Sequence, residues 1–183
     1  VDGEKAILFA NGTGTGKGLM SLGVVKRYVK QGKGDIVIVV PKQELIDKAI
    51  EEGKLLGLDI TALQSTSVAG QGVTITTYAN LRANTSLQMR VPDLIIFDES
   101  QNILENQDGD ISSTTQAARK LFSYQGYSGV MKAAEQVLGV KPDGNVDIQA
   151  YKEWMEAFEA RREEFKTMSE ENYQKSKVML LSA

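Results

Sequence analysis

A chain of 183 residues with 42% hydrophobic content can build one soluble domain with a core of ordinary size. It has no cysteine and no histidine, which removes disulfides, thiolate or imidazole metal sites and nucleophile–histidine catalysis, leaving carboxylate-held Mg²⁺ as the metal chemistry within reach. The net charge of −3, from 21 basic and 24 acidic residues, gives no bulk positive field, so any contact with nucleic acid has to be local.

The first apolar run, residues 5–10, reads as a strand, and residues 19–31 carry apolar side chains at helical spacing before Gly32 and Gly34. Between them lies Asn11-Gly12-Thr13-Gly14-Thr15-Gly16-Lys17-Gly18-Leu19. A strand that turns through close-set glycines into a helix points backbone N–H groups and the positive helix end at one spot, which suits a β-phosphate. Gly12, Gly14 and Gly16 permit the turn, and Lys17 reaches the β/γ oxygens of a nucleoside triphosphate. Two positions depart from the full P-loop pattern: Asn11 stands for its first glycine, and Gly18 for the Ser/Thr whose hydroxyl binds Mg²⁺. Water, Thr15 or Ser21 then has to compensate, or metal affinity falls. A glycine-rich turn with an incidental lysine is the plainer alternative, and a second site is needed to decide.

Further strands are expected at 35–40, 59–63 and 73–77, with a helix over 43–56 ending at Gly57. This alternation predicts an α/β fold with a parallel sheet and crossover helices. The second site follows. Leu94-Ile95-Ile96-Phe97 has the profile of a buried parallel strand and delivers Asp98-Glu99 to its carboxyl end, the Walker B arrangement. Ligands of open α/β sheets bind outside the carboxyl ends of the strands, so Lys17 and the acidic pair are expected to face one crevice. The chemistry assigned is phosphoryl transfer from a nucleoside triphosphate to water: Asp98 would hold Mg²⁺, Glu99 would polarise the water, and Lys17 would offset charge at the β/γ bridge.

After Asn102, roughly seventy-five residues precede the last strand at 178–181, far beyond an ordinary connection. This segment is expected to be a helical insertion, with helices over 112–124 and 129–138, a turn at 141–146, and one long helix over 147–174 capped by Asp147. Tyr151, Trp154, Phe158, Phe165 and Met168 fall near one face of that helix, interrupted by Arg161-Arg162. Packing against neighbouring helices or the sheet accounts for the stripe, with a partner surface as the alternative. The chain begins on a strand and stops at Leu180-Leu181-Ser182-Ala183, which points to a piece of a longer protein. No apolar stretch approaches a membrane span and no signal peptide precedes the first strand, so a cytoplasmic location without a membrane partner is expected.

Taken in order, these segments resemble the first RecA-like domain of superfamily 2 helicases and translocases. Residues 12–18 are similar to motif I, Val39-Val40-Pro41-Lys42-Gln43-Glu44-Leu45 to motif Ia, Thr76-Thr77-Tyr78-Ala79-Asn80-Leu81 to motif Ib, Asp98-Glu99-Ser100-Gln101 to motif II, and Leu181-Ser182-Ala183 to the start of motif III. Glycine after the motif I lysine is associated with strawberry notch-like helicases and with polyvalent proteins of phages and plasmids. The resemblance implies a P-loop NTPase (RecA-like) domain over 1–102 and 177–183, with 103–176 inserted between motifs II and III. It also implies ATP and Mg²⁺ as cofactors and nucleic-acid contacts from Pro41, Lys42, Thr77, Tyr78 and Arg82. A Gln101–Ser182 contact would couple nucleotide state to strand movement. A second RecA-like domain is the implied partner, supplying an arginine finger worth on the order of three to five decades in rate. The expected function is the N-terminal motor of a nucleic-acid-dependent helicase or translocase, acting on DNA rather than RNA. A remodelling motor with a protein substrate, or a nucleotide-binding module that does not hydrolyse, remain open at this level.

Overall fold

The computed structural model describes residues 4–10, 16–68, 70–103 and 111–182. Six strands form one all-parallel sheet: β1 (Ala6–Ala10), β2 (Ile36–Val40), β3 (Ile60–Ala62), β4 (Val73–Thr77), β5 (Leu94–Phe97) and β6 (Lys177–Ser182). Their order across the sheet is β1-β6-β5-β2-β4-β3. The ends agree with the sequence reading to within a residue. Parallel strands require crossovers, and helices supply them on both faces. β2 and β5 are buried along their whole length, so their apolar residues divide by period two between two cores. Ile36, Ile38, Val40, Leu94 and Ile96 face Leu22, Val25 and Ile46 from α1 (Lys17–Lys30) and α2 (Gln43–Leu55). Val37, Val39, Ile95 and Phe97 face Tyr78 and Leu81 of α3 (Tyr78–Ala83), Leu87 of α4 (Thr85–Gln88), and Ala117, Ala118 and Leu121 of α5 (Ser113–Leu121).

The short helices α3 and α4 are absent from the sequence reading because each is little more than a turn. Their signal is a pair of caps: the Thr77 side chain accepts from Asn80 N and the Asn84 side chain from Leu87 N.

Three further helices complete the segment between β5 and β6: α6 (Tyr127–Leu138), α7 (Ile148–Ala160) and α8 (Arg162–Lys175). The single helix expected over 147–174 is two, divided at Arg161, whose φ of −121° and ψ of 17° leave the helical region. Asp147 does cap the first, accepting from Ala150 N at 2.9 Å. No Gly or Pro announces the break, but Glu163 and Glu164 occupy the first turn of α8, where carboxylates favour a new N-terminus, and Glu164 pairs with Arg161 at 2.7 Å. The aromatic stripe is internal packing. Trp154 stacks on Phe158 at 5.6 Å and Phe158 on Phe165 at 6.0 Å, and all three close over Ala133 and Ala134 of α6.

Two ammonium groups, one buried and one half-buried, fasten this helical segment to the sheet. Lys132 of α6, with no exposed surface, donates to Leu121 O at 2.9 Å, Lys120 O at 2.8 Å and Arg90 O. It thereby collects two carbonyls from the end of α5, of which Lys120 O also accepts from Ser123 N at 3.2 Å, and one from the turn after α4. Burial drives its proton affinity down, followed in effect by the charges of Lys120 and Lys5. Lys5 donates to Tyr173 O and Ser176 O, and at 3.4 Å to Phe122 O. Replacing Lys132 with methionine keeps the length of the side chain and removes the donor of Leu121 O and Arg90 O, so Lys132→Met is expected to lower stability by about 2–4 kcal/mol in urea unfolding. An unchanged midpoint would show that these carbonyls find other partners.

Candidate functional site

Because all six strands point the same way, their carboxyl ends share one edge, and Lys17, Pro41, Lys42, Thr77, Tyr78, Asp98, Glu99, Gln101 and Ser182 lie at it or in the segments just beyond it. Asn11, Gly12, Thr13, Gly14 and Thr15 lie outside the described residues. Gly16 caps α1 with φ of +75°, a left-handed conformation that glycine adopts without a Cβ clash, and so sets Lys17 at the start of the helix. Lys17 Nζ donates to Ser182 O at 2.8 Å. Asp98 follows β5 directly, tied by its N–H to Val39 O of β2 at 2.8 Å. Glu99 has φ of +51°, a strained backbone for a residue with a side chain, and its N–H donates to Asp98 Oδ1 at 3.0 Å. The turn is held by Asn102, whose side-chain amide donates to Glu99 O at 2.7 Å.

From Glu99 a polar chain runs to the last strand: Gln101 Nε2 donates to Glu99 Oε2 at 2.5 Å, and Ser182 Oγ donates to Gln101 Oε1 at 3.4 Å. The structure therefore brings Lys17, Asp98, Glu99, Gln101 and Ser182 together. Gly16, Lys17, Gly18, Leu19, Asp98 and Glu99 line one cleft of about 390 Å³. Glu52 and Lys48 of α2 line it too, from a helix in which nothing in the local sequence marks them. Glu52 stands opposite Gly18, where a Cβ would come 3.6 Å from its Oε2. Ser21 also borders the cleft but spends its hydroxyl on Gly18 O at 2.7 Å.

Asp98 is half-buried, and its pKa is raised above the ordinary carboxylate value. Desolvation is the main cause and the neighbouring Glu99 charge adds to it, while the Glu99 N–H and the Lys17 ammonium act the other way. Two adjacent carboxylates facing a cleft are hard oxygen donors that a divalent cation would neutralise. Among the described residues no three acidic groups converge to hold a metal unaided. That fits Mg²⁺, which uses one or two carboxylates and completes its shell with water and phosphate oxygens.

The groove residues divide. Lys42, at the N-cap position of α2, and Arg82 on α3 are exposed, with Pro41 half-buried beside Lys42. Thr77 is buried and caps α3. Tyr78 is turned inward, 7% exposed and stacked on Phe97 at 6.3 Å, and its hydroxyl donates to Asp98 O at 2.6 Å. Burial, with the charges of Asp98 and Glu99, pushes that hydroxyl's pKa well above its usual value. Its side chain therefore supports the acidic turn from beneath, and the surface next to β4 is left to Arg82.

Residues 1–127 match the family model described as type III restriction enzyme, res subunit. No curated protein matches the chain.

The opposing influences on Asp98 can be read separately. Lys17→Met removes an attractive charge and is expected to raise the Asp98 titration midpoint further, whereas Glu99→Gln removes a repulsive one and is expected to lower it. Carboxyl-carbon NMR of the two variants measures both, and a midpoint indifferent to Lys17 would mean that the two groups do not share the cleft in solution.

Proposed function

Because the chain belongs to the type III restriction enzyme, res subunit family, a superfamily 2 helicase-like ATP-binding domain, we propose that it is the ATP-hydrolysing part of a motor that moves on nucleic acid, DNA rather than RNA. No helix among the described residues is long and apolar enough to cross a membrane. Residues 1–102 and 177–183 make up the motor domain, and 103–176 are an insertion within it.

The observation that supports this most is the shared cleft, in which Lys17 from the start of α1 meets Asp98 and Glu99 from the end of β5. ATP sits with its phosphates at the glycine-rich turn and the first turn of α1. Lys17 neutralises charge on the β/γ oxygens, a use for which its present acceptor, Ser182 O, competes. Asp98 would hold Mg²⁺, which would supply neutralisation of phosphate charge there. Glu99 accepts a proton from the attacking water, its carboxylate held in place by Gln101 Nε2. The Gln101–Ser182 contact links the acidic turn to β6. Nucleic acid lies along the neighbouring loops, against Lys42 and Arg82, with backbone groups at Pro41 and Thr77 as further donors and acceptors.

In a protein that also carries the second RecA-like domain, single- or double-stranded DNA is expected to stimulate ATP hydrolysis. Lys17→Ala and Glu99→Gln should each reduce it by about 10²–10⁴-fold, with Glu99→Gln still binding nucleotide. Turnover that neither DNA nor RNA alters would overturn the nucleic-acid reading. Full turnover in Lys17→Ala would overturn the site.

A further inference from the structure

Gly18 stands where the P-loop pattern has a serine or threonine that offers its hydroxyl to Mg²⁺, and it carries no side chain. The backbone does not call for glycine there: the residue is the second of α1, with φ outside the left-handed range. Apart from its own helix, a Cβ at this position would meet one described atom, Glu52 Oε2 of α2, in ordinary contact at 3.6 Å. A side chain on Gly18 would therefore stand beside the Glu52 carboxylate, and both residues line the cleft that Asp98 and Glu99 face. Ser21, one turn further along α1, donates its hydroxyl to Gly18 O at 2.7 Å, so the hydroxyl that α1 does carry is turned back on its own helix.

The two oxygens of Glu52 face different ways. Oε1 lies 3.8 Å from Lys48 Nζ, a pair across one helical turn whose lysine is 68% exposed, and pairs of this kind contribute little. Oε2 is the oxygen beside Gly18. The charges lining the cleft are three carboxylates, Glu52, Asp98 and Glu99, against two ammonium groups, Lys17 and Lys48. A triphosphate adds further negative charge to that surplus, so the site balances electrostatically only with a divalent cation in it. Among the described residues no three acidic groups converge on one point, which sets Glu52 apart from direct ligation. Mg²⁺ keeps several of its waters, and a carboxylate one step beyond the ligands orients those waters by accepting their hydrogen bonds.

We propose that Glu52 is a positioning residue for the cation that Asp98 would hold, its Oε2 accepting hydrogen bonds from water in the cation's shell across the gap that Gly18 leaves open. The proposal rests on the ATP-site reading and assigns to α2 the work that a motif I hydroxyl does from α1. It gives one carboxylate two opposite effects. Toward a triphosphate without metal Glu52 is repulsive, and toward the metal-loaded triphosphate it is attractive. A residue that served only the packing of α2 would move both affinities alike.

The 183-residue chain is titrated with a nonhydrolysable ATP analogue by calorimetry, once in EDTA and once in Mg²⁺, and Mn²⁺ binding to the analogue complex is followed by electron paramagnetic resonance. Glu52→Gln is expected to weaken both the Mg²⁺-dependent binding and the Mn²⁺ affinity about tenfold, and to leave binding in EDTA unchanged or tighter. Gly18→Ser supplies the hydroxyl at a position with room for it, so the double variant Gly18→Ser/Glu52→Gln should recover a Mn²⁺ affinity close to that of the parent. Equal weakening with and without metal, a Mn²⁺ affinity unmoved by Glu52→Gln, or a double variant no better than Glu52→Gln overturns the proposal and leaves the ATP site standing. A parent chain that binds no analogue in either condition overturns the ATP reading and this proposal with it.

Discussion

The geometry of the cleft depends on where β6 lies. It is the last strand in the chain, yet it sits between β1 and β5, paired in parallel with both from Ala6↔Val178 to Ala10↔Ser182 on one side and Leu94↔Lys177 to Phe97↔Leu180 on the other. Without it the loop after β1 and the acidic turn after β5 would have no fixed separation. The sheet places Lys17 and Asp98 on one edge only because a strand arriving after a long helical segment fills the gap. Its start is fixed accordingly. Ser176 Oγ donates to Pro92 O at 2.6 Å, Lys177 N to Asp93 O at 3.0 Å and Val178 N to Lys5 O at 2.9 Å, so the entry of β6 is stitched to the beginnings of both its neighbours.

That requirement explains how polar groups are spent in the helical segment. A strand inserted from outside the βαβ alternation needs its preceding helix delivered to the amino-terminal edge of the sheet, opposite the cleft. Lys5 performs this by gathering carbonyls from Phe122, Tyr173 and Ser176, and Lys132 by gathering those of Arg90, Lys120 and Leu121. Burying an ammonium is costly unless its donors are matched, and three carbonyls apiece match them. On the same edge Arg90 pairs with Asp35 and donates to Thr74 Oγ1 at 2.8 Å. The amino-terminal edge thus holds cations clasped by carbonyls and by Asp35, with Arg90 Nε left without a partner among the described residues, while the carboxyl-terminal edge holds half-exposed Lys17, Asp98 and Glu99.

The sheet was legible in the sequence because buried parallel strands are continuous apolar runs, and Ile36–Val40 and Leu94–Phe97 could be nothing else of that length. The pairing order is less so: period-two burial says that a strand has two covered faces and says nothing about its neighbours, so the position of β6 follows from the motif order rather than from its own residues. The residues of the acidic turn were legible for the same reason as the strand that delivers them. Tyr78 was not, because a polar tip on an aromatic ring after a strand reads equally as a surface contact or as a buried ring with one hydrogen bond. Only the position of Phe97 beneath it and of Asp98 O beside it decides. Glu52 and Lys48 escape for a different reason: on an amphipathic helix of repeated acid and base, the one turn that meets Gly18 is set by the packing of α2 against α1, which no spacing within α2 encodes. The division of the long helix at Arg161 is of the same kind, since residues 158 and 165 share a face whether or not the backbone is continuous between them.

The polar chain at the cleft extends the link between β5 and β6 beyond their last ladder pair, Phe97↔Leu180, to the acidic turn and Ser182. Glu99 holds a left-handed backbone whose strain is offset by Asn102 and Asp98, and its side chain is met by Gln101, which meets Ser182 at the end of β6. Ser182 also offers its carbonyl to Lys17. On the proposed reading, phosphate oxygens at Lys17 would compete with that carbonyl, and a cation at Asp98 would lie beside the Glu99 carboxylate that Gln101 meets. Both groups therefore contact the end of one strand, whose start is tied to Pro92, Asp93 and Lys5. The strand is thus held at its two ends by contacts of opposite character, carbonyl clasps at one and half-exposed charged groups at the other.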